Sequence, residues 1–202
     1  MNWDALIPVS VIMSSLLPGL MIFGLPEERR RLRTAFNLIG IFATLALVVF
    51  MFVDDYQGHH YETRWTLLSG LDMVLRADPL ALLFAALSSV LWLLTTVYAI
   101  GYLEGSAHSS RFFGFFSLCI TATIGVSLSG NLITFLIFYE MLTLCAYPLI
   151  IHRGTEKVRR SGQSYLIYTI FGGALLLLGT VWLYTLTGTL EFAPCLLYTS
   201  EA

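Results

Sequence analysis

Charge is what this 202-residue chain has least of. Asp, Glu, Lys and Arg make up 12% of it, against 57% hydrophobic residues and a mean hydropathy of +0.78. A soluble domain averages about 25% charged and about 45–50% apolar residues. The net charge of −2 leaves no basic field, which excludes nucleic acid as a partner. Cysteine is scarce as well. Cys119, Cys145 and Cys195 form no CxxC pair and no metal-ligand spacing, so they read as small apolar packing residues. There is no glycine-rich phosphate loop, no internal repeat and no Ser/His/Asp grouping that could assemble in a soluble pocket. Asp54, Asp55, His59 and His60 lie close together, but adjacent histidines cannot share one helix face and no second cluster completes a metal site. Neither a cofactor nor a metal is therefore expected. The opening MNWD has no Lys or Arg and no small-residue cleavage site follows, which excludes a signal peptide. Short alternating segments of the barrel type are missing too.

Long apolar runs are present instead. Six stretches, about 5–25, 34–53, 80–103, 112–129, 132–151 and 165–186, are each close to the ~20 residues that a helix needs to cross a bilayer. Lipid offers the backbone no hydrogen-bond partner, so all six are expected as α-helices and the fold class is an all-α integral membrane protein. Basic residues near the spans set the orientation. The first connection holds Arg29, Arg30, Arg31 and Arg33; the third holds Arg111; the fifth holds Arg153, Lys157, Arg159 and Arg160. The second holds Arg64 and Arg76 against five acids, and the fourth is an uncharged Gly130-Asn131 turn. The odd connections are thus expected in the cytoplasm and the N-terminus outside, with the basic clusters acting as topology determinants. Residues 54–79, the one long connection, read as a solvated loop closing on Asp78-Pro79, an N-cap followed by proline at the first helical position. Ser117, Thr121 and Gly125 on the fourth span, and Gly172, Gly173 and Gly179 on the sixth, read as small residues for close helix packing.

One residue resists this reading. Glu140 sits in the middle of NLITFLIFYEMLTLCAYPLI, residues 131–150. Its span holds ten Leu, Ile or Phe residues. Each favours insertion by about 0.3–0.6 kcal/mol, against about 2.5–3.5 for a central acid, so the segment enters the membrane in spite of Glu140. Ionisable groups at that depth usually face a bundle interior and mark ion or proton paths. Thr143 at i+3 and Tyr147 at i+7 share the face of Glu140 and extend it into a polar stripe. Pro148 has no N–H for the Leu144 carbonyl and is expected to kink the helix. Desolvation favours a neutral carboxyl and a nearby cation favours a charged one. An acid balanced between the two can load and release a proton, with Thr143 and Tyr147 lining the path. No other span carries a central charge, so a cationic partner must come from a later helix or another subunit.

NLITFLIFYEMLTLCAYPLIIHRGTE, the basic stretch after it and SYLIYTIFGGALLLLG resemble the antiporter-like subunits of the proton-conducting transporter family. LRADPLALLFA at 75–85 fits that family's third-helix entry. The family includes the D-type and A-type subunits of Mrp-type multisubunit cation/proton antiporters, and membrane-arm subunits of respiratory complex I and of energy-converting hydrogenases. The resemblance covers residues 65–194 and is nearest to the D-type Mrp subunit. It implies that Glu140 matches the fifth-helix glutamate that takes part in proton translocation. The family's lysine lies on a seventh helix, and Lys157, in a cytoplasmic loop, sits at the wrong depth to replace it. The partners implied are other membrane subunits, protons, Na+ or K+, and the lipid bilayer of a prokaryotic cell membrane that the chain crosses several times. No chemistry of its own is implied. A non-catalytic subunit of a redox-driven pump and a structural membrane scaffold are the competing readings. After Pro194, the tail 195–202, CLLYTSEA, departs from the family pattern, so a truncated frame followed by foreign sequence is expected there.

Overall fold

The computed structural model describes residues 3–55, 57–59, 61–68, 71–103 and 108–192; the 195–202 tail with Cys195, and His60, lie outside the described residues. Among the described residues, six helices are long and apolar enough to cross a membrane: α1 (Trp3–Phe23), α2 (Arg30–Asp55), α3 (Pro79–Tyr102), α4 (Ser109–Ser127), α5 (Leu132–Ile150) and α6 (Glu156–Thr187). Helix α4 lies centrally, against α1, α3 and α5; α2 packs on α1 and α3, and α6 packs on α5.

The spaced small residues of α4 explain its position, because each admits a neighbour. A methyl group on Gly19 of α1 would come 2.9 Å from Ser117 Cβ. Thr121 donates to Ser15 Oγ of α1 at 2.9 Å. Gly125 leaves the room that the Phe138 ring of α5 occupies. Between α1 and α2, Gly40 faces Pro18 and the Ser14 and Thr44 hydroxyls bond at 2.7 Å. Lipid tails are as apolar as leucine, so close packing and such interhelical hydrogen bonds hold a membrane bundle together.

Three expectations change. The second connection is a folded β-hairpin, not a solvated loop: β1 (Tyr61–Leu68) pairs antiparallel with β2 (Leu71–Ala77). Tyr61 and Thr63 are buried, and Glu62 and Arg64, which alternate with them, face outward. The hairpin is hooked onto the α4–α5 turn. Arg76 N–H donates to the Leu128 carbonyl at 2.7 Å, Gly130 N–H to the Val74 carbonyl at 2.8 Å, and Val74 N–H to Thr134 Oγ1 at 2.8 Å. Asn131 caps α5 by accepting from Thr134 N–H, and its amide donates to the Asp72 carbonyl at 2.7 Å. The fold is thus helical in the membrane and carries a two-stranded cap at one end.

Second, α6 starts at Glu156 and not at 165. Thr155 accepts from Val158 N–H, and Glu156 pairs with Arg159 and Arg160, both at 3.3 Å. Lys157, Arg159 and Arg160 therefore stand on an exposed helical turn. Third, Arg33 is buried within α2 and does more than set topology. It donates to Ser110 Oγ at 3.1 Å, pairs with Glu27 at 3.3 Å and lies 5.6 Å from the Phe113 ring centre. The Glu27 carboxylate accepts Ser110 N–H at the start of α4, where the helix dipole favours an anion.

On the outer face of the hairpin, Arg64 pairs with Glu191 at 2.6 Å and Glu62 at 3.0 Å, and Arg76 pairs with Glu62 at 2.9 Å. The network ties the hairpin to the segment after α6. Burial works against ionisation of Glu62, but hydrogen bonds from Arg76 and Arg64 outweigh it and hold the carboxyl below its ordinary range. A depressed carboxyl contributes stability above its unfolded value and loses it as pH falls below that value.

Two outcomes are expected. Thr134→Val leaves the buried Val74 N–H without its acceptor and lowers stability by about 1–3 kcal/mol in thermal unfolding of the detergent-solubilised protein. Wild-type stability weakens as pH falls below about 4.3, and Glu62→Gln flattens that dependence in the same measurement.

Candidate functional site

Asn131 starts α5, and the helix continues unbroken through Pro148 to Ile150. Glu140 lies near its middle, about 12 Å along the axis from Leu132 and about 15 Å from Ile150 at 1.5 Å per residue. Its side chain is half-buried and makes no hydrogen bond or ion pair with any described residue.

The polar stripe faces α6. At its C-terminal end, Tyr147 and Ile151 occupy the space left by Gly162: a methyl group there would lie 3.1 Å from Tyr147 Cε2. One turn back, Tyr165 O–H donates to the Thr143 carbonyl at 3.4 Å. Thr143 is buried, and its own hydroxyl donates to the Glu140 carbonyl at 2.8 Å, so it ties the backbone beside the acid and does not touch the carboxylate. Farther along, the Glu140 carboxylate lies against Gly173 of α6, where a methyl group would overlap Oε1 and stand 2.8 Å from Cδ. Glu140, Thr143 and Tyr147 thus meet the same neighbouring helix in succession. Pro148, half-buried, denies the Leu144 carbonyl its helical donor without ending the helix.

Lys157 does not enter this group. It precedes Gly173 by 16 residues on one continuous helix, a separation of about 24 Å. Two contributors were not singled out in the sequence. Tyr165 sits at the start of the span as read there, with no feature that marks its hydroxyl for the seam. Gly173 reads as one of several small packing residues; the available signal was a paired glycine at the depth of the acid on the adjoining helix.

Among the described residues the arrangement is a bundle of six apolar helices with an acid midway along α5, on the seam with α6. Two family models match. One, described as NADH-Ubiquinone oxidoreductase (complex I), chain 5 N-terminus, matches residues 65–113, and the other, NADH:quinone oxidoreductase/Mrp antiporter, TM, matches residues 129–201. Between them they take in more than half of the chain, which belongs to this family of complex I and Mrp antiporter membrane subunits. The D-type Na(+)/H(+) antiporter subunit of Alkalihalophilus pseudofirmus is 25% identical over 177 residues, 86% of this chain and 35% of that protein. The chloroplastic NAD(P)H-quinone oxidoreductase subunit 5 of Poa pratensis is 29% identical over 196 residues, 93% of this chain and 28% of that protein. Among solved structures, the Mrp complex from Dietzia sp. has a chain that superposes with a TM-score of 0.78 at 20% identity, over 95% of this chain and 36% of that one. At that identity the match speaks for the fold alone. The chain spans about a third of the length of the curated relatives it matches.

Proposed function

We propose that this chain belongs to a proton-translocating subunit of a multisubunit monovalent cation/proton antiporter, with Glu140 as its proton-carrying group. The observation that carries the proposal is the placement of Glu140. A carboxyl at mid-depth is expensive and persists where it faces a bundle interior or a path for ions. Here it lies on the α5–α6 seam, partly accessible, with no partner among the described residues to neutralise it. The antiporter and quinone-oxidoreductase relatives support a proton-moving membrane subunit in either setting.

In this reading, Glu140 takes a proton when its surroundings disfavour the anion and gives it up when a cationic group approaches. That cation belongs to another membrane-spanning segment or subunit. Thr143 and Tyr165 hold the backbone around the acid, and Tyr147 lines the inner end of the seam. The exchanged cation is Na+ or K+, the partners are other membrane subunits, and the setting is a prokaryotic cell membrane with the N-terminus outside. The relatives named as subunit 5 of a quinone oxidoreductase favour a second reading, a membrane arm driven by redox chemistry on other chains. Neighbouring genes for small Mrp-type subunits would select the antiporter, and genes for iron–sulfur or hydrogenase subunits the redox complex.

Glu140→Gln, placed in the subunit within its assembled complex, is expected to abolish coupled transport in membrane vesicles while leaving assembly intact. Wild-type transport by that variant would refute the assignment.

A further inference from the structure

We propose that Gly173 on α6 is the positioning residue for the Glu140 carboxylate, an inference that rests on the reading of Glu140 as the proton-carrying group. The space that a side chain would fill at Gly173 is taken by that carboxylate. A methyl group there would overlap Oε1, come 2.8 Å from Cδ and stand 3.3 Å from Oε2. Its neighbour Gly172 behaves differently, since a methyl group on it would meet nothing within 4 Å. The Gly172-Gly173 pair therefore combines one glycine with no local steric requirement and one that is filled by an acid.

The kind of atom that fills the space decides what a substitution does. At Gly125 a methyl group would strike the Phe138 ring, and at Gly162 it would strike Ile151 and the Tyr147 ring, all groups held by packing. At Gly173 it would strike the far end of a flexible side chain. A glutamate can swing its carboxylate through its own torsions, among staggered rotamers separated by small energies. Gly173→Ala is thus accommodated by moving the acid, with α5 and α6 left in place. Alanine is also the better helix former. The substitution should spare the fold and displace the proton site, whereas a glycine needed only for packing would do the reverse.

The test compares Gly173→Ala, Gly172→Ala and Glu140→Gln in the assembled complex. Proton-coupled transport is measured across pH in vesicles, and the Glu140 carboxyl band, identified by its loss in Glu140→Gln, is measured by infrared difference spectroscopy. Gly173→Ala is expected to assemble normally, to lower transport at least tenfold at the wild-type optimum, to shift the pH profile and to move the carboxyl band. Gly172→Ala is expected to match the wild type in all four respects. The double variant Glu140→Asp/Gly173→Ala, in which the acid is one methylene shorter, is expected to recover transport above the product of the single effects. An unshifted carboxyl band and pH profile in Gly173→Ala, or failure of that variant to assemble where Gly172→Ala assembles, would overturn the positioning role. Wild-type transport by Glu140→Gln would instead overturn the function assigned to the acid, whatever Gly173→Ala did to the band.

Discussion

In hydrocarbon no water completes an unfinished hydrogen bond, and the rest of the structure depends on that constraint. It makes each apolar stretch a helix. It also puts the irregular backbone at the helix ends, where side chains and turns satisfy it. Asp78 accepts from Ala81 N–H at the start of α3, Asn131 caps α5 and Glu27 receives the Ser110 amide in the first turn of α4. The hairpin answers the same constraint. Its second strand bonds to the α4–α5 turn through Arg76, Val74 and Gly130, so the one uncharged turn of the bundle becomes a place of attachment.

Glu140 departs from this pattern. Hydroxyls elsewhere in the bundle return their hydrogen bonds to nearby carbonyls, as Ser89 does to Ala85 and Thr180 to Leu176, at little cost to the helix. A carboxylate has no such local option, because it only accepts. It lies instead in the space of a missing side chain on α6, on a seam that also carries a tyrosine hydroxyl on a carbonyl and a ring over a glycine. A group held by shape and free of a fixed ionic partner can change its charge without breaking a salt bridge. That is the physical basis for assigning it a proton-carrying role.

Much of the membrane part was legible in advance. Length and composition alone call for six helices, and the four-residue spacing of Ser117, Thr121 and Gly125 anticipates the contacts of α4 with α1 and α5. The hairpin was less legible. Its alternation of Tyr61, Glu62, Thr63 and Arg64 is short, and the acids around it read as a solvated connection. Its inward face has meaning only once α1 and the α4–α5 turn are there to cover it. Arg33 shows the same limit: next to three other arginines it reads as one more topology charge, and only folding brings it to Glu27, Ser110 and Phe113.

What the sequence by itself determined was the number of long apolar helices, the place of Glu140 near the middle of the fifth and the face it shares with Thr143 and Tyr147. These follow from hydrophobic length and the 3.6-residue period, which are local properties. Only the tertiary structure decided which helix that face meets and which of two adjacent glycines lies under the carboxylate. The reason is geometric: consecutive residues on a helix point about 100° apart, so Gly172 and Gly173 are equivalent in composition and differ entirely in what stands in front of them.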